Sequence, residues 1–223
     1  MDIQLLHRPG NSAAKLTLGA GESVTAEAGA MIAMSADVGI TTTTHKRGSG
    51  SFTKTVKRLF AGESLFLNHF ESQRAGSEVW LGTPLPGDMM SLTLERESLI
   101  VQGGSFVACE SGIEVGVGWQ GFRTLLSGES LFWVKLQGSG KVLLNSFGAV
   151  YEQPVDGEFI VDTSHLVAYE PGITLKLQLA GGLISSVMGG EGLVTRVCGK
   201  GRIVIQTRSL SGLTGWLNPK LWG

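Results

Sequence analysis

The chain has 223 residues, of which 17% are charged, with 33 glycines and a formal net charge of −1. This balance gives no overall attraction to nucleic acid or to an anionic membrane, and no stretch approaches the roughly 20 apolar residues of a membrane span. Two cysteines are too few for a cysteine metal site or a redox motif. The excess of glycine is typical of tight turns between short strands.

The first patterned segments lie between residues 16 and 40. Residues 16–18 and 22–26 place apolar side chains two positions apart, which predicts short strands with one buried face. A turn at residues 28–29 leads to a third strand at 31–33, and another turn leads to residues 38–40. We therefore expect the chain to begin as a meander of short strands.

A helical pattern follows a polar loop at residues 41–51. The apolar side chains after this loop are spaced at i, i+4, i+7 and i+8, as on a two-turn helix, at Phe52, Val56, Leu59 and Phe60. The helix would end just before the motif GESLF at residues 62–66, because glycine can stop a helix. After this motif, residues 65–67 and 79–81 predict a hairpin around Ala75 and Gly76.

The same series of motifs recurs twice along the chain. Residues 26–40 (AEAGAMIAMSADVGI), 101–115 (VQGGSFVACESGIEV) and 161–175 (VDTSHLVAYEPGITL) align without a gap. The alignment brings three alanines to the same step, at Ala33, Ala108 and Ala168. The GESLF motif returns at residues 128–132 and, as GEGLV, at 190–194, so three glutamates also align, at Glu63, Glu129 and Glu191. Helical stripes at 119–126 and 183–188 and hairpin turns at 138–140 and 199–201 complete the pattern.

The strand patterns of these segments predict an all-β protein. Their recurrence predicts a repeat architecture, because a supersecondary unit that recurs along the chain is its signature. We expect one compact domain made of three units, at approximately residues 14–84, 90–147 and 151–208, followed by an apolar tail at 209–223. The units would be pseudo-symmetric around an internal pseudo-threefold axis, with short helices between strands. The three aligned alanines would then superpose by rotation about that axis.

Three of the repeated motifs carry a family resemblance. The segment EAGAM at residues 27–31 and the two GESLF motifs resemble those of bacterial proteins related to the mitochondrial biogenesis family called altered inheritance of mitochondria protein 24, over about residues 16–208. The resemblance implies a fold like that of the trp RNA-binding attenuation protein, with β-sandwich repeats of the double-stranded β-helix type. It also implies homo-oligomers and no established enzymatic activity. The start of the chain has no features of a transit peptide, so we expect a cytoplasmic protein.

The sequence predicts no catalytic residue, metal or cofactor. No nucleophile elbow or phosphate-binding loop occurs, and the four histidines are scattered. The aligned glutamates 63, 129 and 191 could share a cation near the predicted axis. Alternatively, each could order its own helix-to-strand turn by accepting backbone N–H bonds. We favour the second interpretation.

Two segments could bind a partner. Lys54, Lys57 and Arg58 form the polar side of the first predicted helix and could meet an anionic partner, although packing of its apolar stripe into the core is the favoured interpretation. The tail crowds apolar side chains near its end, at Trp216, Leu217, Leu221 and Trp222. An exposed apolar cluster of this kind usually marks an interface, so we expect the tail to dock onto another subunit or back onto its own body.

The function predicted from the sequence is that of a non-enzymatic, oligomeric scaffold or binding protein of the cytoplasm, without stable membrane insertion. Its ligand is not identified by any motif. An alternative is a binder of small molecules or nucleic acid that uses grooves between repeats, although the net charge disfavours nucleic acid. A third hypothesis is an enzyme whose site forms only between subunits.

Overall fold

A computed structural model describes residues 1–45, 65–117, 133–179 and 193–221. These residues form fifteen strands and one α-helix, with a short 3₁₀ turn before β9 and another before β13. The elements are β1 (Asp2–Leu6), β2 (Ala13–Leu18), β3 (Ser23–Glu27), β4 (Met31–Met34), β5 (Val38–His45), β6 (Leu65–Ser72), β7 (Ser77–Leu81), β8 (Met89–Gln102), β9 (Phe106–Glu110), β10 (Ile113–Val117), β11 (Trp133–Asn145), β12 (Val150–Asp162), β13 (Leu166–Tyr169), β14 (Ile173–Leu179), β15 (Leu193–Gln206) and α1 (Leu210–Leu221).

The strands form two sheets. A four-stranded sheet has the order β1-β2-β7-β4, and an eleven-stranded sheet follows the order β12-β15-β13-β8-β11-β9-β3-β6-β5, with β10 added to β11 and β14 added to β15. Neighbouring strands in both sheets run antiparallel. The prediction of an all-β fold is therefore confirmed.

The period of two in the sequence explains which faces are buried. In β2 every second side chain is buried, at Ala14, Leu16 and Leu18, and the intervening side chains are only half-buried. The adjacent strand β7 does the same with Val79 and Leu81. Such alternation directs one face of a strand into the core, where burying a large aliphatic side chain is worth about 1.5–3 kcal/mol.

The pairing scheme of the first unit returns in the later ones with longer strands. In the first unit β2 pairs with β7, and β3 pairs with β6. In the second, β8 alone supplies both inner segments and β11 supplies both partners; β12 and β15 do the same in the third. A rotation axis that relates the three units, and the boundaries of these units, stay predictions.

Two of the predicted hairpin turns are wrong. The glycines at 138–140 and 199–201 lie inside the continuous strands β11 and β15, and the register of β11 with β8 shifts between Gly138 and Ser139. Gly138 therefore allows a β-bulge in the long strand β11, while the glycines at 199–201 are paired without a shift against β12. In the first unit the chain does turn at Ala75 and Gly76, but β6 and β7 lie in different sheets, so no hairpin forms there either.

The segments that precede the three units, and the segment that follows β15, are joined to one another by backbone hydrogen bonds. The Ser12 N–H donates to the Gly87 carbonyl at 3.0 Å, Asp88 N–H to the Gly148 carbonyl at 2.8 Å, and Thr207 N–H to the Ala149 carbonyl at 3.0 Å. This ladder fixes successive units relative to one another. The sequence did not predict it, nor did it predict β1, which pairs with β2.

Several predicted features lie outside the described residues. They are the three helices at 52–60, 119–126 and 183–188, the basic residues Lys54, Lys57 and Arg58, the glutamates Glu63, Glu129 and Glu191, and Trp222. Within the described part of the chain, no helix has the length and apolar character needed to cross a bilayer.

Candidate functional site

Successive units are joined by a short antiparallel pairing that has the same register at both places where it occurs. At the first junction β3 pairs with β9, which puts Ala26 opposite Ala108 and Thr25 opposite Cys109. Ala108 and Cys109 are both buried there. One side of β9 therefore belongs to its own unit, through β11, and the other side belongs to the preceding unit.

The second junction, between β8 and β13, repeats this arrangement. Val101 lies opposite Ala168 and Ile100 lies opposite Tyr169, at positions that the sequence alignment equates with those of the first junction. Tyr169 also packs edge-on against Trp133, with ring centroids 5.2 Å apart. Two of the three aligned alanines thus occupy the centre of a junction between units.

The third aligned alanine lies at an open edge. Ala33 belongs to β4, which pairs with β7 on one side and has no strand on its other side in the described structure. All four residues of β4 are exposed, and Ile32 keeps 59% of its accessible surface. The equivalent residues of β9 and β13, Val107 and Val167, are completely buried.

A second open edge lies at the far end of the large sheet. Among the described strands, the last part of β12 pairs with β15 alone, and Phe159 and Ile160 there are 40% and 54% exposed. The residues equivalent to Phe159, Val24 in β3 and Leu99 in β8, are buried, and each of these strands pairs with a strand of the next unit. Edge strands with apolar side chains expose unpaired backbone groups and readily accept another strand.

Each junction strand is held to its own unit by a side-chain oxygen that the sequence analysis missed. Glu110 Oε2 accepts the Lys141 N–H at 2.8 Å, and Glu170 Oε2 accepts the Arg202 N–H at 2.8 Å. In the first unit Ser35 Oγ accepts the Glu78 N–H, also at 2.8 Å. The sequence did contain a signal for these residues, because Ser35, Glu110 and Glu170 occupy the same position of the alignment, two residues after the repeated alanine.

Two carboxylates near the junctions have altered acidity. Burial raises the pKa of Glu27, the last residue of β3, to about 7. Asp88, in the ladder of entering segments, accepts from Arg8 Nε at 2.7 Å and Nη2 at 2.8 Å, and also from Ser12 Oγ and the Met89 N–H. These hydrogen bonds, those of Arg8 first, lower the pKa of Asp88. The Arg8–Asp88 pair therefore fixes the N-terminal segment to the start of the second unit.

The described residues contain no group of three or more His, Cys, Asp or Glu side chains that could hold a metal ion. Cys109 is buried at the first junction, and desolvation raises the pKa of its thiol to about 12. It behaves there as a small apolar side chain, as the alignment with Met34 and Tyr169 predicted. The His69 ring bonds to two hydroxyls, those of Thr25 at 2.9 Å and Thr43 at 2.7 Å.

The described part of the C-terminal tail forms helix α1. Ser209 Oγ accepts the Gly212 N–H at 3.2 Å, which caps its first turn. No residue of α1 is buried: Trp216 keeps 60% of its accessible surface and lies under the Lys220 Nζ at 4.7 Å, Leu221 is equally open, and Leu217 is half-buried. Two of the four predicted interface residues of the tail, Trp216 and Leu221, are thus exposed in the single chain.

Comparison with known proteins gives three related findings. The family model described as mitochondrial biogenesis AIM24 matches residues 3–208. An uncharacterised protein of Streptococcus pyogenes serotype M6 is 28% identical over 208 residues, which cover 90% of this chain and 83% of that protein. The crystal structure of protein SPYM3_0169 from Streptococcus pyogenes superposes with a TM-score of 0.77 at 26% identity, covering 98% of this chain and 99% of the other.

Proposed function

Since the chain belongs to the mitochondrial biogenesis AIM24 family, as its sequence resemblance indicated, we propose that it works as a non-enzymatic, homo-oligomeric scaffold or binding protein. The similar streptococcal protein is itself described as uncharacterised, so the proposal depends on the surface of this chain. The cytoplasmic location and the absence of catalysis stay predictions from the sequence.

The observation that carries the proposal is the exposure of β4. Ile32 and Met31 are open to solvent, whereas the residues in the same places of β9 and β13 have at most 1% of their surface accessible. A folded monomer seldom exposes a contiguous row of large apolar side chains, and such rows usually mark a binding surface. The strand also contains no charged residue or proline to block the addition of another strand.

A second feature supports association, because no residue of helix α1 is buried in the single chain. Aromatic side chains with an apolar ring and a polar edge, such as Trp216, are the residues that most often anchor protein interfaces. The chain therefore has an open apolar strand and an open apolar helix, both of which association between copies would cover.

Size-exclusion chromatography with light scattering tests the proposal. We expect the untagged protein to elute at a mass that is a multiple of the 23.6 kDa chain and to dissociate only on strong dilution. A mass of one chain at every concentration examined would contradict the homo-oligomer. Native mass spectrometry of the same sample measures the number of subunits and reports any molecule that remains bound.

A further inference from the structure

We propose that copies of this chain join head to tail, with the last part of β12 in one copy pairing antiparallel with β4 of the next. The proposal rests on the homo-oligomeric function above and identifies the surface through which the oligomer forms. The partner is a second copy of the same chain, because the two junctions inside the chain already show how these two kinds of strand pair.

The internal junctions fix the register. In both, the residue equivalent to Val161 lies opposite the repeated alanine: Ala26 opposite Ala108, and Val101 opposite Ala168. Transferring that register puts Val161 of one copy opposite Ala33 of the next, and Ile160 opposite Met34. The chain thus contains two complete examples of the junction and, at its two ends, the separate halves of a third.

The exposure of the two halves shows that one chain does not complete this third junction by itself. Phe159 and Ile160 on β12, and Ile32 on β4, are all at least 40% exposed, while their apolar equivalents at the internal junctions, Val24, Leu99, Ile100, Val107 and Val167, are at most 4% exposed. Pairing between copies would give every one of these apolar side chains the environment that its equivalents already have.

The other end of the large sheet, β5, is a less suitable partner for β12. Within the part of the chain that the structure describes, β5 pairs only with β6, and its equivalents pair in the same one-sided way, β10 with β11 and β14 with β15. An open outer side is therefore the ordinary state of this strand in every unit. Strand β4 differs, because its equivalents β9 and β13 are both paired on two sides.

Joining through two different surfaces makes the interface heterologous. Such an interface generates a ring if the rotation between copies closes, and an open filament if it does not. Each chain in the interior of the assembly then uses both edges, and blocking either edge stops growth. This property distinguishes head-to-tail joining from a symmetric dimer, in which one edge meets its own copy.

Two lysine variants test the direction of joining. Met34→Lys blocks β4 and leaves β12 intact, while Ile160→Lys blocks β12 and leaves β4 intact; both side chains are exposed in the single chain, so the fold should survive, which circular dichroism checks. We expect each variant alone to fall to the mass of one chain, and an equimolar mixture to form a one-to-one dimer. A mixture that stays monomeric, or a single variant that keeps the wild-type mass, contradicts the proposal.

A disulfide test fixes the register and needs no loss of assembly. In a Cys198→Ser background, protein with Met34→Cys is mixed with protein carrying Ile160→Cys and oxidised. Residues directly opposite in an antiparallel pair are within the Cα distance that a disulfide requires, so we expect a crosslinked dimer of the two variants. The matched control replaces Met34→Cys by Ile40→Cys, an exposed isoleucine on β5, and should give none.

The outcomes separate this inference from the proposed function. If the wild-type protein is an oligomer but both lysine variants keep its mass and the 34–160 disulfide does not form, head-to-tail pairing is wrong and the homo-oligomer stands. Crosslinking of the Ile40→Cys control in place of Met34→Cys would assign the partner of β12 to β5. A wild-type protein that is monomeric throughout contradicts both proposals.

Discussion

At the scale of single residues, Glu27 is the carboxylate among the described residues whose pKa is raised. It follows Ala26, the centre of the first junction, and it is half-buried at the end of β3 opposite Leu67. Removal of its carboxylate from water disfavours the ionised form, which raises its pKa from 4.5 to about 7. As pH rises, Glu27 loses its proton at a lower pH in the unfolded chain than in the folded one. The folded state therefore becomes less stable relative to the unfolded state as pH rises from 4.5 to about 7.

Replacing Glu27 by glutamine should therefore change how stability depends on pH. The contribution of protonated Glu27 is complete below about pH 4.5 and is lost as pH rises through about 7. We expect Glu27→Gln to raise the free energy of unfolding at pH 8 by up to about 3 kcal/mol, and to change it little under acidic conditions. Urea denaturation under both conditions measures this difference.

The control for this prediction is Glu71→Gln, which alters an exposed carboxylate on β6. It should leave the difference between acidic and alkaline stability as in the wild type. Equal stability of Glu27→Gln and wild type at pH 8 would show that the folded protein does not disfavour the charge at Glu27.

At the scale of elements, the sequence predicted the strands better than their connections. Period-two spacing identified residues 16–18 and 22–26 as strands, because side chains that alternate between core and solvent leave a regular pattern. The glycines at 138–140 predicted a hairpin turn, but the structure has a continuous strand there. Glycine permits both a turn and a bulge, and only the partner strand, here β8, decides which one forms.

Two glycines inside the long strands, Gly138 in β11 and Gly199 in β15, lead to a second prediction. Gly138 and Gly199 have φ angles of +137° and +129°, and a Cβ at either place would collide with the carbonyl oxygen of Gly112 or Gly172 respectively. We expect Gly138→Ala and Gly199→Ala each to destabilise the fold by at least about 2 kcal/mol, because an L side chain is strained there and the backbone opposite cannot move freely.

Thermal unfolding of both variants measures this cost. Gly104→Ala is the matched control, since its φ is not positive and an added Cβ would meet nothing within 4 Å. The control should unfold close to the wild-type temperature. If Gly138→Ala did the same, the bulge in β11 would not depend on glycine.

At the scale of the whole molecule, the candidate site follows from which strands have a neighbour on both sides and which have one on a single side. Each internal junction pairs one strand from the preceding unit with one from the next, so a chain of the three predicted units would make two junctions and leave one half at each end. The aligned alanines Ala33, Ala108 and Ala168 gave the sequence signal for these positions. The sequence could not show that Ala33 is open, because its neighbours Met31, Ile32 and Met34 are as apolar as those of the buried strands.

The last prediction concerns the C-terminal tail and its part in assembly. Because no residue of α1 is buried, removing residues 211–223 should leave the unfolding temperature of the β body unchanged. The same deletion should reduce the mass measured by light scattering, or raise the concentration at which the oligomer dissociates, because Trp216 and Leu221 would no longer reach a partner. Trp216→Gln should reproduce much of this effect, whereas Thr214→Ala, on an exposed polar residue of the same helix, should not. A truncated protein with the wild-type mass and stability would exclude docking of the tail both between copies and within one, leaving the strand edges as the sole contact that the described residues offer.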